Sequence, residues 1–555
     1  MLATLWSGLS GVLSFVVLIS VVVFFHELGH LIVGKALGVK AIRFSLGFGP
    51  RLWGFTLGET EYRISPIPLG GYVKFAGDNP LEELAPEDRG RGFLEQPPLK
   101  KAAVAFAGPF ANFVLALVLL IGVNLPAHRD LASTIGFVKP GSPAALGGLE
   151  PGDRIASVDG APVRGFLELQ EMIRAHAGQP LRLSIVRDGQ PRELTVTPAV
   201  HEETNPVETV KSGRIGIAAN PRLAEIAVVG GGDFADALPA ARAGLRNLDL
   251  VVKLDGKPIA SYEQLSKELG RLPAGASPRL DVLRPRPVAT PAATPGVQDP
   301  ISVQLPPAAR PGEFGIVSAE LTLAIVQPGS AAQEAGLQRG DRIVSVDGHP
   351  ALSWYDEAEL FQAAAARPVP LVIERDGKAL PITVKQHLVQ QRDDAGVRAM
   401  VPHLGASPDP AIFSLEGEYI TVRFGVAEAF RRGVRDTYEV VRTTVLGLQR
   451  IVTGRINSEA ISGPLGIGVV AKKVATWGFL AFVSLIASIS VNLGLLNLLP
   501  VPVLDGFHVL SAALEGVRRR PLSIRFREVA NMVGLALLLV LMLVAFKNDA
   551  IRFME

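Results

Sequence analysis

Cysteine is absent from all 555 residues. That excludes disulfides, thiol nucleophiles and cysteine-ligated zinc, and leaves the redox compartment open. An excess of either charge is also lacking: 55 lysines and arginines face 53 aspartates and glutamates. A nucleic-acid partner therefore has no global electrostatic support. No glycine-rich phosphate-binding loop is present, so no nucleotide cofactor is expected. The first apolar run has no basic segment before it and no cleavage site after it, so it reads as a retained helix rather than a removed leader.

What is present is apolar sequence in long blocks. Hydrophobic residues make up 48% of the chain and the mean hydropathy is +0.31. Four stretches approach the ~20 residues that a helix needs to cross a bilayer: 8–33, 102–123, 478–499 and 529–546. Basic residues crowd 34–101, and Arg518, Arg519, Arg520, Arg525 and Arg527 follow the third stretch. Placing both segments in the cytoplasm puts 124–477 and both termini outside, with the arginine run as the stronger vote.

The middle of the chain repeats. PGSPAALGGLEPGDRIASVDGAPV at 140–163 returns as PGSAAQEAGLQRGDRIVSVDGHPAL at 328–352, and more weakly as ADALPAARAGLRNLDLVVKLDGKPI at 235–259. A Gly-led turn feeds a short alternating strand, and Asp-Gly turns the chain again. A helical stretch and a hairpin follow each copy. Copies one and three turn on Arg-Asp-Gly, a strong hairpin signal. Copy two has a Pro/Ala-rich stretch at 285–300 in that place, read as a long loop.

VVVFFHELGH at 21–30 sets two histidines and a glutamate at the end of a membrane-length apolar run. Even a lenient scale charges about 2.5–3.5 kcal/mol for a charge at a helix centre. On a helix, His26 and His30 share one face and can offer two imidazoles to one metal, with Glu27 beside it to take a proton from water. A third ligand is needed at similar depth. The third span ends in NLLPVPVLDGFH at 497–508, which brings both Asp505 and His508 near the same side. Depth alone does not choose between them. Pro500 and Pro502 break the helix there, and broken backbone at membrane depth survives only inside protein or beside water.

HELGH, FAGPFANF in the second span (with GPFAN at 108–112), PLGGYVKFAG at 68–77, SGPLGIG at 462–468 and NLLPVPVLDG resemble the site-2 protease family of intramembrane zinc metalloproteases, in its PDZ-containing RseP branch. The repeats are similar to circularly permuted bacterial PDZ domains, which bind extended peptide by strand addition. The resemblance covers most of the chain apart from the extra repeat. It implies Zn2+ held by His26, His30 and Asp505, with Glu27 as general base. Asn497, Pro500 and Pro502 would form the N-x-x-P-x-P element that holds substrate or steadies the tetrahedral intermediate. One departure is noted: the family commonly reads LDGGH, and Phe507 replaces the second glycine here.

The expected fold is a polytopic α-helical membrane protein. It has about four transmembrane helices, tandem extracytoplasmic PDZ-like α/β domains and a cytoplasmic-side membrane-associated β-loop. The expected segments are helix one at 1–34, the β-loop at 35–101 and helix two at 102–125. PDZ-like domains follow at 133–200, 213–306 (degenerate) and 314–388. An amphipathic segment at 410–455, helix three at 477–506 and helix four at 529–547 complete the chain. In the β-loop, Gly70, Gly71 and Tyr72 are substrate-binding candidates, with an open edge for substrate sought in 60–65 or 71–75; a packed structural hairpin is the alternative. The resemblance implies a bacterial inner-membrane endopeptidase that cuts single-span membrane proteins. Its substrates would be a membrane anti-sigma factor or signal-peptide remnants, and peptide termini would dock at the repeats. A catalytically silent PDZ scaffold is the competing class.

Overall fold

The computed structural model describes residues 2–79, 84–139, 141–204, 208–219, 224–228, 238–259, 261–285, 298–308, 314–351, 354, 360–361, 364, 367–375, 377–392, 398–409, 419–454 and 463–554. The chain divides into two compact units, Met1–His128 with Thr204–Thr209 and Arg423–Glu555, and Arg129–Glu203 with Val210–Val422.

The first unit is built from helices α1 (Leu2–Ala36), α2 (Pro98–Asn124), α3 (Val426–Val452), α4 (Pro464–Thr476), α5 (Phe479–Asn497), α6 (Asp505–Arg518) and α7 (Ile524–Met554). Among the described residues, four segments are long and apolar enough to cross a membrane: Leu13–Ala36, Pro98–Asn124, Phe479–Asn497 and Arg525–Ile551. Small residues set how closely they pack. A Cβ on Gly29 would collide with the Ala107 carbonyl of α2, and one on Gly494 would stand 3.0 Å from the Pro109 carbonyl. Helix α2 therefore lies at close range between α1 and α5.

Helix α3 is amphipathic. Ala429 and Gly433 are buried, Gly433 against Ile121 of α2, while Val426, Phe430, Val434 and Tyr438 form an exposed stripe at four-residue steps. The part of the expected amphipathic segment at 410–418 lies outside the described residues.

Two helices differ from the sequence expectation. The third helix, expected at 477–506, ends at Asn497, and Asp505 opens a separate helix α6 ahead of the fourth span. Pro500 and Pro502 bias the residues before them away from helix, which forces the break. Helix α6 then turns Phe507, Ser511, Ala512 and Glu515 inward. Helix α4 was not foreseen. The Asp549 carboxylate of α7 receives the N–H groups of Gly463, Leu465 and Gly466 at 3.0–3.1 Å, supplying the partners that the start of α4 lacks.

Between α1 and α2 a sheet of β1 (Ala41–Phe48), β2 (Trp53–Leu57), β3 (Thr60–Ile64) and β4 (Ile67–Phe75) has the order β2-β3-β1-β4. Its edges are β2 and β4. The expectation of an open edge at 60–65 is corrected, because β3 is flanked on both sides, by β2 and by β1. Residues 71–75 do lie in an edge strand.

The second unit contains three modules of one design. Each opens with a one-turn helix: Pro143–Leu146, Pro239–Arg242 or Ala331–Glu334. A buried aspartate follows (Asp153, Asp249, Asp341) and is gripped in a two-pronged bond by an arginine of the later hairpin (Arg187, Arg284, Arg375) at 2.6–2.8 Å. The Asp-Gly pairs 159–160, 255–256 and 347–348 all take positive φ, the conformation of a tight hairpin turn. The middle copy keeps the ion pair and the turn although its GDRI has become LDLV at 248–251.

The module ends are also corrected. The first and third modules close with a strand beyond the expected boundary, Ile217–Ala218 on Phe137–Val138 and Ala406–Ser407 on Ile325–Val326. In the second, Ile316–Ser318 closes on Ala224–Val228. Strands of two or three residues are too short to show a period of two. The Pro/Ala-rich loop of the middle copy lies outside the described residues at 286–297, but its flanking strands pair from Arg279↔Gln304 to Pro285↔Gln298. Most of the expected helix at 355–366 also lies outside them.

Candidate metal centre

The site forms where α1, α2 and the start of α6 meet. His26 and His30, one helical turn apart on α1, are both buried. Pro109 has no N–H to offer the carbonyl of Ala105 and loosens that turn of α2. The neighbouring Val104 carbonyl accepts a hydrogen bond of 2.7 Å from His30 Nδ1. His30 thus carries its proton on Nδ1 and turns a lone pair on Nε2 inward. Gly108 makes room for that ring: a Cβ there would collide with His30 Nε2.

Three donor atoms converge. His26 Nε2 lies 3.0 Å from Asp505 Oδ2, His30 Nε2 lies 3.4 Å from the same oxygen, and the two nitrogens are 3.3 Å apart. Among the described residues this is the group of three histidines or acids able to hold a metal ion. Asn497, the last residue of α5, brings its amide nitrogen to 3.3 Å from His26 Nε2. Two imidazole nitrogens and a carboxylate oxygen at one focus suit zinc.

Glu27 is half-buried beside the triad, and its carboxylate accepts a hydrogen bond from the backbone N–H of Val73 in the edge strand β4. A cavity of about 660 Å³ opens onto this group, lined by His26, Glu27, His30, Tyr72, Asn497 and Asp505 among others. The other sequence candidates are placed differently. His508 lines the cavity but is not among the converging donors. Pro500 and Pro502 lie outside the lining; Pro502 packs beneath α7, where a Cβ on Gly534 would strike its carbonyl. Gly71 rests against Glu27 and Val23, whereas Gly70 sits beneath the Phe48 ring.

Phe507, the departure from the family pattern, is buried in the first turn of α6 and needs no glycine-like backbone. Gly506 is the position that does, because a Cβ there would strike the carbonyls of Leu498 and Leu499. The sequence reading gives no role to Asn112, although it stands in GPFAN. A polar side chain in the middle of an apolar helix is itself the signal.

An HExxH motif on a membrane-length helix, a carboxylate from the short helix that follows another such span and a cavity beside them define a membrane-embedded metallopeptidase. The profile of Peptidase family M50 matches residues 14–541, and the chain belongs to that family. "Protease RseP" of Yersinia pestis is 31% identical over 563 residues, covering 100% of both chains. "Regulator of sigma-E protease RseP" of Escherichia coli is 31% identical over 560 residues, also covering 100% of both. A protein of Neisseria meningitidis named as a zinc metalloprotease is 29% identical over 545 residues, covering 98% of this chain and 99% of its own. Among solved structures, the PDZ domain of an SdrC-like protein from Listeria innocua aligns at 22% identity with a TM-score of 0.13, over 16% of this chain and 91% of its own. The chain is an integral membrane zinc metalloprotease, which displaces the silent-scaffold alternative.

Proposed function

We propose that this protease hydrolyses peptide bonds within or near the membrane-spanning segment of single-span proteins, with His26, His30 and Asp505 as zinc ligands and Glu27 as general base. The observation that carries this is the convergence of the three donor atoms beside Glu27 on the wall of one cavity. When bound, zinc supplies Lewis acidity, which makes water acidic enough to lose a proton near neutral pH.

Glu27 receives that proton and passes it to the leaving amine; its tether to Val73 keeps the carboxylate facing the cavity. The Asn497 amide, at the end of α5, is placed to donate to the carbonyl oxygen as charge builds on it. A helix hides its peptide bonds, so the substrate must be extended before attack. The outer edge of β4 offers a place to hold it as an added strand. Val73 turns its N–H away from β1, and Gly71, two residues earlier, turns its backbone groups the same way.

By likeness to the sigma-E regulator, the substrates are anti-sigma-factor-like membrane proteins, with spent signal peptides as a second class. The three modules stand on the extracytoplasmic side of the bacterial inner membrane. They act there as a size filter or as a dock for peptide termini.

The test is cleavage of a single-span reporter by the purified protein in liposomes, beside Glu27→Gln. The expected result is cleavage by the wild type and a loss of at least about 100-fold in the variant, the lower end of what a positioned base contributes, with equal zinc in both. Equal cleavage by both proteins would remove Glu27 from the mechanism.

A further inference from the structure

Asn112 is fully enclosed in the middle of α2, where an unpartnered amide is costly. Its amide nitrogen stands 3.2 Å from Nδ1 of His26, and its Oδ1 has no hydrogen-bond partner. The backbone around it is fixed. Ser490 of α5 donates a 2.9 Å hydrogen bond to the Asn112 carbonyl, and Gly494 would bring a Cβ to 3.3 Å from the Asn112 Cβ. The side chain can therefore exchange its two ends by a half-turn of the amide but cannot leave the ring of His26.

The two ends have opposite consequences. An amide N–H donating to Nδ1 forces the proton of neutral His26 onto Nε2, which lies 3.0 Å from Asp505 Oδ2 and 3.3 Å from His30 Nε2. That nitrogen would then have no lone pair for a metal. With Oδ1 turned to the ring, Nδ1–H donates to it and Nε2 is bare. Either orientation leaves the far end of the amide without a protein partner, so satisfaction of the amide alone does not choose. Two observations do. The Asn497 amide nitrogen, a donor, is aimed at His26 Nε2 from 3.3 Å. His30 Nε2 and Asp505 Oδ2 both turn lone pairs to the same focus, a pair of acceptors that a cation there joins to His26 only if its Nε2 is bare.

We infer that Asn112 is a positioning residue: its Oδ1 accepts the Nδ1–H of His26 and so presents Nε2 to the metal. The inference rests on the reading of His26, His30 and Asp505 as zinc ligands. Partners of this kind typically change metal affinity by 10–100-fold.

The experiment measures zinc affinity of the full-length protein by competition with a chelator, with melting temperatures alongside. Wild type is expected to bind zinc and His26→Ala to lose it; failure there overturns the ligand reading itself. Given that result, Asn112→Leu is expected to weaken zinc binding by about 10–100-fold, and Asn112→Asp, which keeps the acceptor and has no donor, to stay within about 3-fold of wild type. Wild-type affinity in Asn112→Leu overturns the inference. So does a loss in Asn112→Asp as large as in Asn112→Leu, which is what a donating amide would give. If Asn112→Leu does not fold, Asn112→Asp decides alone, because the acceptor and donor roles give it opposite outcomes.

Discussion

At Gly108 one hydrogen atom separates a seated His30 ring from a displaced one. A methyl group there would occupy the place of the His30 ring, whereas Gly122, later on the same helix, has nothing within 4 Å of its would-be Cβ. Both substitutions to alanine gain about the same helix propensity, ~1 kcal/mol. Gly108→Ala is nevertheless expected to lose most zinc and nearly all cleavage, while Gly122→Ala keeps both; metal content and reporter cleavage on the same preparations check this. The convergence of His26 and His30 was legible in the sequence because HELGH is a spaced pattern with a chemical meaning. Gly108 and Asn112 were not, since their roles depend on which helix crosses α1 at that depth. The choice of Asp505 over His508 was likewise open to depth alone. It turns on α6 beginning at residue 505, which points the aspartate at the histidines and leaves the histidine one turn along on the cavity wall.

Elements are held around the site by one buried acid. Glu515 of α6 is 4% exposed and binds Lys101 at the start of α2, Arg527 at the start of α7 and the Leu522 N–H at 3.0 Å. Burial alone would raise its pKa; these partners hold it below the ordinary glutamate range. Removing one partner of a buried pair typically costs 3–5 kcal/mol. Glu515→Leu, which leaves Lys101 and Arg527 without their acceptor, is expected to destabilise the protein by about 3 kcal/mol, read as a lower melting temperature in detergent.

The edge strand β4 makes a separate prediction. Val73→Pro removes the N–H that holds Glu27 and closes the outer edge, whereas Val73→Ala keeps both. Cleavage should fall at least about 10-fold in the proline variant alone, with zinc retained in each. Helices α4 and α6 escaped the sequence because short amphipathic runs beside apolar spans look like loop or span. The strand order also was not legible, since β1 pairs with β3 in parallel across the intervening β2.

At the scale of the whole molecule, two strands that pair, His128–Leu131 and Tyr419–Val422, bracket the second unit, and Thr204–Thr209 rejoins the first unit between its first and second modules. A deletion of 135–386 would strand the hairpin His387–Arg392/Arg398–His403 and the closing strand of the third module. Excision of 132–418 with a short Gly/Ser joint instead keeps both halves of the pair. That protein is expected to cleave a reporter with a short outer segment at a rate within about 3-fold of wild type, and to cleave one with a large folded outer domain faster than wild type. Loss of all cleavage with zinc still bound would mean that the modules work on the membrane site itself. The repeats were legible because each copy carries the same buried aspartate and Asp-Gly turn. Their closing strands were not, because two residues hold no pattern.

The paired strands carry a consequence for how such a chain can change over time. Between them the chain rejoins the first unit only at Thr204–Thr209, after the first module and before the other two. A module can be duplicated, lost or worn down there without altering the register of a single membrane helix. The middle copy, with its GDRI gone and its ion pair intact, is what a duplicate held only to its fold would look like.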